Sequence, residues 1–483
     1  MRQRILFAFL ILAVLLAGCR QEPVETTPPT EPPVEHLTMV VSADTIGMLE
    51  EYPDLKSVDL SGSTCYAAIW EYMQSHPKVA VTYTVQLGSV TVSDDETGLI
   101  LDPGACDYET LVANLEYLPK VTRVQLPRTP FTPQELAALE GLFPRITWDY
   151  SVILLGQELT RQTESFNLSL LISDQVAETA QILRNFPNLV ELELMDAYGQ
   201  CGLTKEEIGL LMDALPQARF HYVFDLFGKS VSTDDTRIEF EKVKIGDAGE
   251  AELRAALGVL RRCEYLLLDD CGISNEVLAG IREDFRETTQ VVWRIRFGVD
   301  KVHTCLTDTD TIRATYNLTD QTAAPLRYCE NVKYLDLGRN GELCDISFIA
   351  AMPELEICIL SHCPIEDLEP FAGKEKLIFL ELAHCSKITD VDALAGCSAL
   401  EHLNLSFTAV TDLAALWDLP LKQFCAVVSQ IPFSEQTTLT ALKPECDFRF
   451  DGTQPYGTGW YYTKSGIKTD IYNKILEVFG LEA

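Results

Sequence analysis

From Val332 onward, apolar residues recur in a fixed figure: one apolar position, two more at three and five residues beyond it, and a small or polar residue at eight. The figure runs Val332, Leu335, Leu337, Asn340; Leu355, Cys358, Leu360, Cys363; Leu377, Leu380, Leu382, Cys385; and Leu400, Leu403, Leu405, Thr408, with a step of 22 or 23 residues. A second register interleaves with it: Ile365, Leu368, Phe371, then Ile388, Val391, Leu394, then Val410, Leu413, Leu416. Asp345, Asp367, Asp390 and Asp412 keep the same step. Alternating apolar residues predict a short strand with one buried face. Such a strand needs a like neighbour to cover its edges, so stacked units predict one continuous parallel sheet over one continuous apolar interior.

The first two-thirds of the chain carries a longer version of this pattern. Gly88, Gly156, Gly228 and Gly298 each close an apolar-alternating stretch and lie 68, 72 and 70 residues apart. Val58-Asp-Leu60, Val124-Gln-Leu126, Leu192-Glu-Leu194, Leu266-Leu-Leu268 and Leu335-Asp-Leu337 keep a comparable step. Each superrepeat therefore holds about three units, one regular and two divergent. Between the strands, Thr132-Pro-Gln-Glu135 and Thr204-Lys-Glu-Glu207 fit a capping box that starts a helix. Leu136, Leu139, Leu142 and Phe143 make one predicted apolar helix face, and Ile208, Leu211, Met212 and Leu215 another. Beyond residue 330 the connecting segments are shorter, which predicts 3-10 turns and a change of curvature.

The C-terminal units resemble the leucine-rich-repeat family, in particular the 22-residue bacterial type of internalin-like surface proteins. The resemblance implies an α/β solenoid, a leucine-rich-repeat horseshoe with a parallel sheet on the concave face and helices or 3-10 turns on the convex face. It also implies that Asn340, Cys363, Cys385 and Thr408 point inward and tie down turn backbone. The third and fifth positions of each strand would then face the concave surface: Tyr334 and Asp336, Ile357 and Ile359, Phe379 and Glu381, His402 and Asn404. The column Tyr334, Ile357, Phe379, His402 is a stripe of large side chains, and aromatic anchors with polar neighbours are what protein-binding patches use. These eight residues are the candidate partner-binding site, with a protein as the expected partner and a glycan as the alternative. The seventh positions are Gly338, Ser361, Ala383 and Ser406.

The chain begins differently. Arg2 and Arg4 precede an apolar run, Ile5 to Ala17, which ends at Leu16-Ala17-Gly18-Cys19. That is a secretory leader too short to span a bilayer comfortably. Its end resembles the lipobox, which implies a diacylglyceryl group on Cys19 and a chain anchored outside the cytoplasm by lipid. Pro- and Thr-rich sequence follows and reads as an extended tether. The expected organisation is a lipoprotein signal over 1–18, a tether over 19–37, superrepeats over 38–330, regular repeats over 331–425 and a cap over 426–483. Ile46, Leu49 and Tyr52, at helical spacing, are expected to shield the first strand. The aromatic run Tyr456-Gly-Thr-Gly-Trp-Tyr-Tyr462 and the amphipathic Ile471–Phe479 are expected to cover the last.

Charge narrows the partners. With 72 acidic and 38 basic residues the net charge is -34, which argues against nucleic acid and against lying flat on anionic lipid. The 15 cysteines include no CxxC and no metal-like spacing with histidine, so most read as buried thiols. No GxSxG, HExxH or P-loop occurs, and no cofactor or metal is implied. The repeated Asp residues read as caps of the following turn. The chain is expected to be a non-enzymatic binding protein, with an envelope enzyme or a structural spacer as the alternatives.

Overall fold

The computed structural model describes residues 33–481, so the signal, Cys19 and most of the tether lie outside the described residues. The chain divides into two compact units, the first ending at Arg161 and the second beginning at Gln162.

In the first unit, strands His36–Thr38, Ser57–Asp59 and Ala80–Thr82 form a parallel sheet with Leu37, Val58 and Val81 aligned. Gly98–Ile100, Arg123–Leu126 and Thr147–Leu154 form another, with Leu99, Val124 and Trp148 aligned. Ile46, Leu49 and Tyr52 do not form a separate shield over the first strand. The 3-10 turn Ile46–Glu51 is the crossover of a first, short repeat and contributes the buried Leu49. The capping box of Thr132 and Glu135 forms and starts the helix Pro133–Leu142. Leu136 and Leu139 are buried, but Leu142 is 56% exposed and does not belong to the packed face.

The superrepeat glycines mark hairpins. Thr84–Leu87 pairs antiparallel with Val90–Ser93 about Gly88, and Thr147–Leu154 with Gln157–Thr160 about Leu155 and Gly156. Leu155 and Gly156 both have positive φ, which suits the twist of a two-residue hairpin turn. Gly88 has φ +58, and a Cβ there would sit 2.2 Å from the Ala105 carbonyl oxygen, so no side chain is accommodated.

The second unit repeats the scheme twice. Ser165–Asn167, Glu191–Glu193 and Arg219–His221 form one parallel sheet, and Arg237–Glu241, Tyr265–Asp269 and Gln290–Phe297 the next. Hairpins at Gly228 and Gly298 follow their third strands. Crossovers here are α-helices: Val176–Leu183, Lys205–Ala214, Glu250–Val259 and Asn275–Asp284. A seven-stranded parallel sheet then runs through Thr311–Arg313, Tyr334–Asp336, Ile357–Ile359, Phe379–Glu381, His402–Asn404, Gln423–Cys425 and Asp447–Arg449. Crossovers between its strands include the 3-10 turns Ser347–Ala351, Glu369–Phe371, Asp392–Gly396 and Ala414–Leu416, as the shorter spacing predicted.

The expectation of one continuous sheet needs correcting. Three-stranded modules are separated by antiparallel hairpins, because the glycine turn sends the third strand back along itself instead of on to another parallel neighbour. Only the array after residue 310 stacks without interruption.

Inside that array the ninth positions act as expected. The Asn340 amide donates to the carbonyls of Ala314 and Leu337 and accepts from the Leu318 N–H. The Cys363 and Cys385 thiols donate to the carbonyls of Leu337 and Leu360, and the Thr408 hydroxyl to that of Leu405. Asp345, Asp367, Asp390 and Asp412 each accept from the N–H two residues on, at 2.6–2.8 Å, and so cap the following turn. No disulfide occurs among the described residues.

Candidate functional site

Tyr334, Ile357, Phe379 and His402 lie side by side in register, as do Asp336, Ile359, Glu381 and Asn404. The two columns are therefore those expected. Their exposure is not. Ile357, Ile359, Phe379, Asp336, Glu381 and Asn404 are buried, Phe379 to 1%, and only Tyr334 and His402 stay half-buried.

The cover is the chain's own C-terminal segment. Trp460, 1% exposed, packs on Phe379 with ring centroids 5.0 Å apart. Ile471 and Ile475 complete the buried cluster, with Tyr456, Tyr461, Tyr472 and Phe479 around it. Polar groups of the sheet hold the segment's backbone: the Asn404 amide donates to the Pro455 carbonyl at 2.9 Å, and the Gln423 amide to those of Gly459 and Trp460 at 3.0 Å. Lys474 pairs with Glu356 at 2.9 Å.

Local sequence explains this path. Gly457 and Gly459 both have positive φ and turn the chain tightly at Trp460. Thr469 caps the helix Asp470–Val478, whose buried residues Ile471, Ile475 and Leu476 meet at helical spacing. The small seventh positions Gly338, Ser361, Ala383 and Ser406 leave room on the sheet for aromatic rings. The segment expected to cap the last strand thus lies across the sheet face instead, where Phe379 receives Trp460 and the Asn404 and Gln423 amides hold its backbone.

Glu381 is the most unusual group here. One of its oxygens accepts from the Trp460 indole N–H and the Tyr461 hydroxyl, both at 2.5 Å, and the other bonds the Ser361 hydroxyl at 2.5 Å. Burial pushes its carboxyl above the usual range, against the lowering effect of those bonds. Burial also raises Asp336, which pairs with Arg313 at 3.0 Å.

The second unit also carries an open face. Asn167, Glu193 and His221 stand in register on adjacent strands and line a cavity of about 860 Å³ with Asp196, Asp225 and Asp234. The His221 ring bridges Asp234, at 3.2 Å, and Glu191. Arg219 donates to Asp234 at 2.6 Å and holds its carboxyl below the usual range. Tyr198, between the lining residues Ala197 and Gly199, is 89% exposed. This face was not singled out from sequence, although the alternation of Glu191, Glu193, Arg219 and His221 about buried Leu192 and Phe220 is a readable signal.

On the first face the Ser361 hydroxyl is bonded to the buried Glu381 carboxylate at 2.5 Å. The ring nitrogens of His221 contact carboxylates only. His362 and His384, noted beside the repeat cysteines, stack on each other at 4.2 Å, and His384 stacks on Phe407 at 4.1 Å. Burial lowers both imidazoles and raises the neighbouring thiols, Cys363 to about 11. Protonated thiols facing the interior are poor nucleophiles.

No protein-family model matches the chain, and no curated protein does. Solved structures do. An internalin from Listeria monocytogenes is 16% identical, with 71% of this chain and 78% of that chain covered and a TM-score of 0.25. The functional domain of InlJ from Listeria monocytogenes, which includes a cysteine ladder, is 10% identical over 74% of this chain and 68% of that one, at 0.25. A leucine-rich-repeat protein of Leptospira interrogans is 13% identical over 85% and 95%, at 0.21. Superpositions this loose add no argument about function. The reading as a leucine-rich-repeat protein, a fold of solenoid type, stands on the in-register strands, the 22–23-residue step and the inward ninth residues of this chain.

Proposed function

We propose that this is a lipid-anchored envelope protein that binds a protein partner through its sheet faces. The open surface around His221 and Tyr198 would form the accessible face; of the residues expected to bind a partner, Asp336, Ile357, Ile359, Phe379, Glu381 and Asn404 are already covered by residues 455–479, and Tyr334 and His402 lie half-buried at its margin. The observation that carries the reading is the seating of residues 455–479 on the covered face. Aromatic anchors and side-chain bonds to main-chain carbonyls are the means by which a sheet surface holds another polypeptide. At the accessible face, an exposed tyrosine beside several carboxylates suits a partner with basic groups, which the net charge would also attract over distance.

The anchor is the part carried by Leu16-Ala17-Gly18-Cys19 alone, and places the protein on the outer side of the cytoplasmic membrane or, in a cell with two membranes, facing the periplasm. Growth with an alkynyl fatty acid tests it: label on the native chain and none on Cys19→Ala is expected, and an unlabelled native chain overturns it. Binding is tested by cross-linking the full chain to surface proteins. A partner lost on Tyr198→Ala or on Tyr334→Ala/His402→Ala supports the sheet faces, whereas one unaffected by all three substitutions places binding elsewhere.

A further inference from the structure

The terminal segment does not fill the face it covers. Between it and the sheet lies a cavity of about 320 Å³, whose lining includes Tyr316, Asp336, Gly338, Arg339, Glu381 and Tyr461. That is at the lower end of the volumes that small ligands occupy. From this lining we infer that the cavity is a binding site for a small carboxylated sugar.

Charge selects the sign of the ligand. Asp336 is already engaged by Arg313 and by the Gly338 N–H. Glu381 is held by three side-chain partners and buried, so neither carboxylate is available to a cationic ligand. Arg339 differs. Its guanidinium donates to the Tyr316 hydroxyl at 2.7 Å and has no carboxylate within ion-pair distance among the described residues. Thirteen other described arginines pair with a carboxylate, while Arg145, Arg184, Arg262 and Arg449, like Arg339, have no such pair; Arg339 alone of these five lines this cavity. Arg339 feels the Asp336 charge on the same wall but makes no ion pair with it, so its planar fork is left to hold an incoming carboxylate through two bonds.

The walls select the body of the ligand. Tyr461 and Tyr472 stack at 4.3 Å, and Tyr456 lies parallel to Tyr461 at 6.0 Å. The Tyr461 hydroxyl is given to Glu381 and its ring stacks on Tyr472, so the half-exposed ring of Tyr316 is the surface left for the C–H face of a pyranose. Gly338 keeps the floor open. Its φ is not in the left-handed region, and a Cβ there would meet its nearest neighbour at 3.4 Å, so a larger side chain is admitted by the backbone and would project into the space the ligand needs.

Titration calorimetry on the full chain tests the site with glucuronate, galacturonate and N-acetylmuramate, each against its neutral counterpart glucose, galactose or N-acetylglucosamine, and with benzoate as a flat aromatic acid. At least one sugar acid should bind saturably, one to one, and tenfold or more tighter than its neutral counterpart, the usual range for a hydrogen bond to a charged group. Arg339→Gln, at an exposed position, should bring that ratio near one. Gly338→Leu should abolish binding. No saturable heat from any of the three acids, equal affinity for acids and neutral sugars, tighter binding of benzoate, or unchanged preference in Arg339→Gln would each overturn the assignment; the Arg339 variant decides it if Gly338→Leu fails to fold.

Discussion

On the strands Ser165–Asn167, Glu191–Glu193 and Arg219–His221, the outward positions are mostly charged or hydrogen-bonding, and the surface stays open around a cavity of about 860 Å³. On Tyr334–Asp336 to Gln423–Cys425 the same positions include Tyr334, Ile357, Ile359 and Phe379, and a later part of the chain has settled over them. The scaffold is the same, a short parallel strand with buried residues on one side. What differs is the transfer free energy of the other side. An apolar column gains on the order of 25 cal/mol for each Å² removed from water. A column of ion pairs gains little and incurs desolvation. The first therefore recruits a cover from within the molecule, and the second remains accessible.

The largest test of this contrast is Trp460→Ala. Removing a fully buried indole costs about 3–5 kcal/mol and takes one donor from Glu381. Urea unfolding should show that loss, and limited proteolysis should cleave within 455–479 well before the strands beneath. A loss below about 1 kcal/mol, with the segment still protected, would mean that the cover is held by something other than its aromatic anchor.

The two faces should also respond to pH with opposite sign. Burial raises Glu381 and Asp336 in the folded protein. Folding then binds protons, so their contribution is fully present below the ordinary carboxyl range and is lost as pH rises through their raised values. Glu381→Gln keeps an acceptor for Trp460 and Tyr461 and gains a donor towards Ser361, and should abolish its share of that loss. The check is the change in melting temperature between pH 5 and pH 8, larger in the native chain than in the variant. Equal slopes would remove Glu381 from the account.

At the open face the sign reverses. Asp234 is lowered, chiefly by its bond to Arg219, so its contribution is present above the ordinary carboxyl pKa and is lost as pH falls through the lowered value. The pair is partly exposed, and Asp234→Asn should cost less than about 1 kcal/mol at neutral pH, with the difference from the native chain vanishing in acid. Tyr198→Ala completes the series. At 89% exposure it should leave the melting temperature unchanged while weakening capture of any partner that uses this face, so a drop in stability would show that the ring packs against the protein.

Much of this was legible in the residues. The 22–23-residue step, the register of Tyr334, Ile357, Phe379 and His402, the inward ninth positions, the capping boxes at Thr132 and Thr204 and the turn-capping Asp residues are all local or nearest-neighbour features, and each unit sees only the units beside it. The hairpins were less legible. Glycines at a step of about 70 residues announced a repeat, but the same alternation of apolar residues serves a parallel strand and a hairpin strand equally well.

The sequence by itself determined which residues form strands, which of their faces point inward and which side chains stand in columns, because alternation and stacking act over a few residues and one repeat. Only the tertiary structure decided which outward columns meet water. Trp460 reaches Glu381 across 79 positions of chain, and such a contact depends on the depth, shape and hydrogen-bonding groups of a surface that exists only after the repeats have stacked.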